Sequence, residues 1–285
     1  MSVRVSRARA VVAQGRRPAV VARVAGISRQ AIHRVPRRRP VEAGPGRLSE
    51  RDRSIVEVAK ANPTDGTRMV AALATRELGV PVNRKRVQRI MREHHLLQPT
   101  RHTGRRRRPG FFEVTRPGEL WHMDMTKLWT SQHGWVNLHA IIDCCTREIT
   151  AWTLDLRART QEATGCLEHA LAQRAIEPGQ LTLGTDNGSQ FTSRGFRRYL
   201  TENEITHRRG GYRDPESQAF IESWFGKLKK RLAWRAEWET LENARRAISE
   251  YVNTYHHRPH SGIGYQTPTE LATTWKREPL HTRTT

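Results

Sequence analysis

The stretch LTLGTDNGSQFTS, residues 181–193, decides how this chain is read. Residues 181–185 form a short strand pattern that runs straight into Asp186. Asp186 therefore sits at the carboxyl end of a strand, where open α/β sheets place their ligands. Gly188 allows a tight turn after it. Ser193 is a natural cap for a following helix. Working upstream, residues 120–126 alternate as a strand that carries Asp124. Trp135 to Ile142 reads as a second strand ending at Asp143, and Glu148 to Leu156 as a third. The three suggest a meander. Arg159 to Arg174 reads as a helix. Strand and helix patterns mixed in this way make the body an α/β domain.

Downstream, a helix is expected from about Glu216 to Leu232. At 100° per residue Phe220, Ile221, Trp224, Phe225, Leu228 and Leu232 form one apolar arc. Glu222 falls just outside it. Lys229 lies near the same line, and Gly226 leaves room for a backbone to approach. Asp124, Asp186 and Glu222 thus come from three different elements. Oxygen ligands of this kind suit hard cations such as Mg²⁺, which keep waters and phosphates in their remaining positions. Two such ions about 4 Å apart serve phosphoryl transfer. Singly each acid is weak evidence, because a strand Asp is more often a turn or edge residue and a helix-rim Glu a solvated one. Asp143 competes for the same role and reads as a strand-end residue.

The front of the chain has a different character. The formal net charge is +22 and the pI about 11.3. Residues 1–110 carry 27 Lys and Arg against 7 Asp and Glu, whereas the remaining 175 residues carry 23 against 21. Arg-rich composition could follow from genome bias, but bias would not concentrate the charge at one end. A polyanionic partner, most simply nucleic acid, explains the asymmetry. Residues 18–32 read as helix, turn, helix, with Ala22 at the crossing, Gly26 in the turn, Ser28 as N-cap and Ile32 facing inward. Arg29, Gln30, His33 and Arg34 then face outward, as a recognition helix in a major groove requires. A plain helical hairpin shares this turn chemistry. In a second helical zone, Ser49 starts a helix buried through Ile55, Val56 and Val58. Met69, Val70 and Leu73 line another, ending near Gly79. Asn83 caps a third, with Val87, Ile90 and Met91 inward. Its polar residues Arg84, Lys85, Arg86, Arg89 and Arg92 either contact phosphates or form a solvated face.

No apolar run approaches the roughly 18 residues that span a bilayer. The N-terminal apolar stretch is too short for a secretory signal. The expected setting is therefore the cytosol, with no membrane partner. Three cysteines, Cys144, Cys145 and Cys166, include no C-x-x-C pair. That argues against a disulfide framework or a structural zinc site.

Four runs together resemble the catalytic core shared by retroviral integrases and bacterial insertion-sequence transposases of the DDE type: WHMDMT (121–126), DNGSQFTS (186–193), ESWFGKLK (222–229) and RPHSGIGYQTP (258–268). Thirty-five residues separate Asp186 from Glu222, the spacing of that family's D,D-35-E motif. The nearest group is similar to the insertion-sequence transposases numbered three, although YRDPESQA (212–219) looks more like a retroviral integrase. The His/Cys zinc module of those integrases is absent. The resemblance implies a ribonuclease H-like core, a mixed five-stranded sheet flanked by helices, preceded by helical helix-turn-helix DNA-binding domains. The expected boundaries are 1–45 and 46–100 for two DNA-binding modules, 101–117 for a basic linker, and 118–285 for the core with a helical tail. Asp124, Asp186 and Glu222 would hold two Mg²⁺, with Mn²⁺ as a substitute. One ion would activate water to nick the element's end, and the freed 3′ hydroxyl would join a second phosphodiester. Lys229, Asn187 and His207 would position phosphates, with Gly188 supporting them, though His207 also reads as a strand-edge histidine. The partners would be double-stranded terminal-repeat and target DNA, bound by a homo-oligomer in a bacterial, nucleoid-associated setting. A repressor that keeps the fold without the reaction is the alternative, and a nuclease without strand transfer is a third reading. A fused upstream reading frame would also fit.

Overall fold

The computed structural model describes residues 3–33, 49–99, 114–210 and 219–277. The basic run Arg101–Pro109, Arg34 and the expected helix start at 216–218 lie outside them. Contacts divide the chain into two compact units, Met1–Ser49 and Glu50–Thr285.

The first unit holds three helices, α1 (Val3–Ala13), α2 (Pro18–Ala25) and α3 (Arg29–His33). The period-2 look of Val, Arg and Ala in residues 3–10 hid α1 from the sequence reading. Arg and Ala are strong helix formers, and Ala8 is buried beside Val12, Val21, Ala22 and Ile32. The Arg9 side chain closes the unit by donating from Nε to the Ile32 carbonyl at 2.8 Å. Gly26 adopts φ 63° at the end of α2, a conformation cheap only without a Cβ. The Ser28 hydroxyl accepts from the Ala31 N–H at 3.2 Å.

The second unit begins with α4 (Glu50–Ala61), α5 (Thr67–Leu78) and α6 (Arg84–Glu93), packed around Ile55, Val70, Val87 and Ile90. Asn83 caps α6, its side chain accepting from the Lys85 N–H at 2.8 Å. This module docks on the remainder of the unit through two sets of charges. Arg76 on α5 makes a two-pronged pair with Glu270 at 2.6 and 2.7 Å. Asp65, in the α4–α5 loop and only 5% exposed, accepts from Arg231 at 2.6 Å and also from Arg258.

The core is a five-stranded mixed sheet in the order β3-β2-β1-β4-β5. β1 (Leu120–Thr130), β2 (Gly134–Asp143) and β3 (Ile149–Asp155) form the antiparallel meander. β4 (Thr182–Thr185) and β5 (Thr206–Arg209) add in parallel beside β1. One face packs Trp121, Met123 and Ile141 against α7 (Thr160–Gln173) and α9 (Arg194–Glu202), with the short α8 (Ser189–Thr192) beside them. The other face packs Leu138, Ala140 and Ile142 against α10 (Ala219–Leu228) and α11 (Leu241–His256). α12 (Pro268–Arg277) follows as a tail. This is the mixed five-stranded α/β core that the resemblance to integrase-like cores implied. The continuous helix expected as far as Leu232 is instead α10 followed by a π-helical turn, Lys229–Ala233. Among the described residues no helix is long and apolar enough to cross a membrane.

Candidate active site

The sheet brings the first two acids together by register. β1 and β4 run parallel with Met123 opposite Thr185, so Asp124 and Asp186 are the next residues along neighbouring strands. Asp124 is partly buried and Asp186, just past the end of β4, is exposed. Glu222 arrives from the first turns of α10, which packs on β1 and β2. Its apolar neighbours Ile221, Trp224, Phe225 and Leu228 are buried while Glu222 itself is exposed. The amphipathic arc read from the sequence therefore orients this helix.

Electrostatics ties the three acids into one site. Burial, joined by the like charges of Asp186 and Glu222, pushes the Asp124 carboxyl up from 3.8 to about 6. Lys229 and the Met125 N–H, which donates to Asp124 Oδ1 at 2.7 Å, act in the opposite direction. Asp186 Oδ1 accepts from the Gly188 N–H at 2.9 Å. Among the described residues no three His, Cys, Asp or Glu side chains close on a single point. The site is thus an open, all-oxygen set rather than a cage. Mg²⁺ is commonly held by one or two carboxylates plus waters and substrate phosphate. A divalent cation would offset both the burial and the like charges of Asp186 and Glu222 that raise Asp124, so the donor set fits such an ion.

The supporting residues divide. His207 on the edge strand β5 is hydrogen-bonded through Nε2 to the Thr185 hydroxyl at 2.9 Å. That hydroxyl gives its only proton to the Asp186 carbonyl, so His207 is the donor. His207 therefore props the backbone of Asp186, and burial with nearby Arg209 lowers its pKa. Asn187 reaches the Gly210 carbonyl at 3.0 Å. Gly188 has φ −55°, an ordinary right-handed value. A Cβ there would come 2.6 Å from the terminal amide of Gln190, which would have to shift. Asp143, the competing acid, is fully engaged elsewhere. Its Oδ1 accepts from the Cys145 and Thr146 N–H groups at 2.8 and 2.9 Å. Its Oδ2 accepts from the Gly118 N–H and Trp121 Nε1 at 2.8 and 3.1 Å.

In the front modules Arg29, Gln30, His33, Arg84 and Lys85 are exposed. Arg86 pairs with Asp52 at 2.7 Å and Arg89 with Glu93 at 2.9 Å, so these two are already partnered within their module. Sequence reasoning did not single out Arg147 or the Asp65 hub, and it did not foresee that Arg147, His122 and Phe220 stack on one another. No local pattern marks these contacts, because each joins distant stretches of sequence.

The fold and the acidic site define an integrase core. Two family models described as integrase core domain match residues 114–215 and 203–268, and a third, described as HTH-like domain, matches residues 47–104. The chain is 31% identical over 162 residues to a transposase for insertion sequence element IS904 from Lactococcus lactis, covering 56% of this chain and 63% of that relative. It is 26% identical over 287 residues to the transposase InsD for insertion element IS2-9 from Escherichia coli, covering 94% and 92%. A chain of the simian T-cell lymphotropic virus intasome superposes with TM-score 0.51 at 20% identity, covering 78% of this chain and 76% of that one, which speaks to the fold. The integrase-core models together span more than half of the chain. The protein belongs to the insertion-sequence transposases with an integrase-like core, DDE-type enzymes of DNA integration.

Proposed function

We propose that the chain nicks the ends of a mobile element and joins the freed 3′ ends to target DNA, with Asp124, Asp186 and Glu222 as the catalytic, metal-holding residues. The observation that carries this reading is geometric: Asp124 and Asp186 are neighbours through the β1–β4 register, and Glu222, on the helix packed against β1 and β2, is near enough for its charge to act on Asp124. Two Mg²⁺, or Mn²⁺ in their place, would supply Lewis-acid stabilisation of the attacking and leaving oxygens. The chain's own residues do the remaining work. Asp124 and Asp186 fix two oxygen donors on neighbouring strands, and Glu222 brings the third from the helix packed on the sheet. Lys229, electrostatically coupled to Asp124, faces substrate phosphate. His207 and Thr185 hold the Asp186 backbone in place. No side chain forms a covalent bond to DNA, so the cut 3′ oxygen remains free to attack.

The exposed Arg29, Gln30 and His33 on α3 support a recognition helix for base edges. Arg84 and Lys85 at the start of α6 support phosphate contacts, since backbone N–H groups and positive side chains favour anions there. We assign residues 1–45 and 46–100 to two DNA-binding modules, joined by a linker at 101–117 to the core at 118–285. A homo-oligomer would hold paired ends.

The test is cutting and joining of labelled element-end DNA in Mg²⁺, comparing wild type with Glu222→Gln. Loss of one ligand charge lowers the rate by on the order of 10²-fold or more while end binding persists. Equal rates would remove Glu222 from the site, and cutting without a joined product would make the protein a nuclease.

A further inference from the structure

Each of the three acids is preceded, two residues earlier, by a member of one column. His122 precedes Asp124, Gly184 precedes Asp186 and Phe220 precedes Glu222. Along a strand two residues are one pleat repeat, so His122 shares its face with Asp124. His122 and Gly184 are also partners in the β1–β4 register. A Cβ at Gly184 would lie 2.7 Å from Cδ2 of His122, so the imidazole rests on the bare glycine backbone. Phe220 stacks on His122, with ring centroids 5.8 Å apart and planes at 22°. The Arg147 guanidinium carbon stands 3.3 Å from the centroid of the Phe220 ring. The order is Gly184, His122, Phe220, Arg147.

The far end of the column is anchored. Arg147 lies in the β2–β3 turn with φ 65°. Its N–H donates to the Asp143 carbonyl at 2.9 Å, and its own carbonyl accepts from the Tyr255 hydroxyl at 2.8 Å. Yet Nε and Nη1 of its guanidinium are buried with no hydrogen-bond partner. Burying such donors unpaired is unfavourable, and the face of Phe220 provides the compensating attraction. Ion pairing through those two nitrogens therefore does not account for where this cation sits; the stack does.

The column has a clear mechanical use. Asp124 and Asp186 are fixed relative to each other by the backbone ladder between β1 and β4. Glu222 has no such tie, because a helix packs on a sheet only through side chains. Ile221, Trp224, Phe225 and Leu228 seat α10 on the core, but Phe220 is the contact from its first turn to the strand that carries Asp124. We propose that Arg147, Phe220, His122 and Gly184 form a positioning stack that sets the height of α10 above the sheet, and so the distance from the Glu222 carboxylate to those of Asp124 and Asp186. These are positioning residues, acting through the acids. The proposal rests on the reading that the three acids hold the metal.

The experiment measures Mn²⁺ binding by calorimetry and end cutting in parallel for wild type, Phe220→Leu, Phe220→Tyr, Arg147→Gln and Glu222→Gln. Second-layer groups of this kind govern metal affinity by about 10–100-fold. Phe220→Leu should weaken Mn²⁺ binding and lower kcat within that range, leaving half-saturating DNA concentration and thermal midpoint close to wild type. Phe220→Tyr keeps the ring and should stay near wild type. Arg147→Gln, which keeps the turn but removes the cation, should weaken Mn²⁺ binding in the same direction as Phe220→Leu and by less. Mn²⁺ affinity unchanged in both Phe220→Leu and Arg147→Gln would overturn the proposal, and so would equal loss in Phe220→Tyr and Phe220→Leu. The control separates the two levels: if Glu222→Gln binds Mn²⁺ as wild type does, the three-acid reading itself fails.

Discussion

Replacing Asp124 with Asn should make the metal-free protein more stable at neutral pH. Burial and the charges of Asp186 and Glu222 raise its pKa from 3.8 to about 6. A carboxyl whose folded pKa is raised binds its proton more tightly in the folded state. Between those two values the folded chain holds the extra proton, so stability falls as pH rises through that window and stays low above it. Two pKa units correspond to about 3 kcal/mol. Solvent screening of a partly exposed site leaves about 1–2 kcal/mol of that. Asn removes the charge and keeps an oxygen able to accept from the Met125 N–H. Urea unfolding of the core in chelator should therefore show Asp124→Asn more stable by about 1–2 kcal/mol at pH 7.5, with the gap shrinking towards zero at pH 4. Excess Mg²⁺ should stabilise wild type at pH 7.5, have little effect at pH 4, and have little effect on the variant at either pH. A variant equal to or weaker than wild type at pH 7.5 in chelator would refute the reasoning, as would Mg²⁺ stabilising both proteins alike.

Other outcomes follow from contacts away from the metal donors. Asp143→Asn places an amide where the carboxylate accepts from four donors; it should destabilise the core by about 2–4 kcal/mol, read as a lowered unfolding midpoint. Asp65→Ala leaves Arg231 and Arg258 without their shared carboxylate; limited proteolysis should then release the α4–α6 module faster, and unchanged protection would show that Asp65 does not hold it. Arg29→Ala or Gln30→Ala should reduce the preference for end DNA over random DNA by about 1–3 kcal/mol in a competition assay, and unchanged specificity would remove α3 as the recognition helix. Wild-type affinity for DNA should fall steeply between 50 and 200 mM salt through counterion release, and a flat profile would contradict the phosphate contacts.

How much was legible is best seen element by element. The strand carrying Asp124 and the β4 strand ending before Asp186 were readable because period-2 patterning and turn chemistry are local signals. Asn83, Ser28 and Ser193 announced helix starts because a cap acts within three residues. α1 was missed because its Arg, Val and Ala residues alternate with period 2, and packing against α2 decided for a helix. The ending of α10 in a π-helical turn was invisible for a similar reason. The closeness of the Gln190 side chain to Gly188 was not legible either, because a sequence does not state distances.

The sequence by itself determined the α/β core and the basic front end through periodicity and composition, and its resemblance to DDE-type cores marked three candidate acids. Only the tertiary structure decided that Asp143 is also held by Gly118 and Trp121 and that Asp65 clasps two arginines from beyond Glu222. It also decided that Gly184, His122, Phe220 and Arg147 stack beneath the site. The physical reason is that these are contacts between residues 22 to 193 positions apart. Strand register and helix docking bring them together, and no local pattern in the chain encodes such distances.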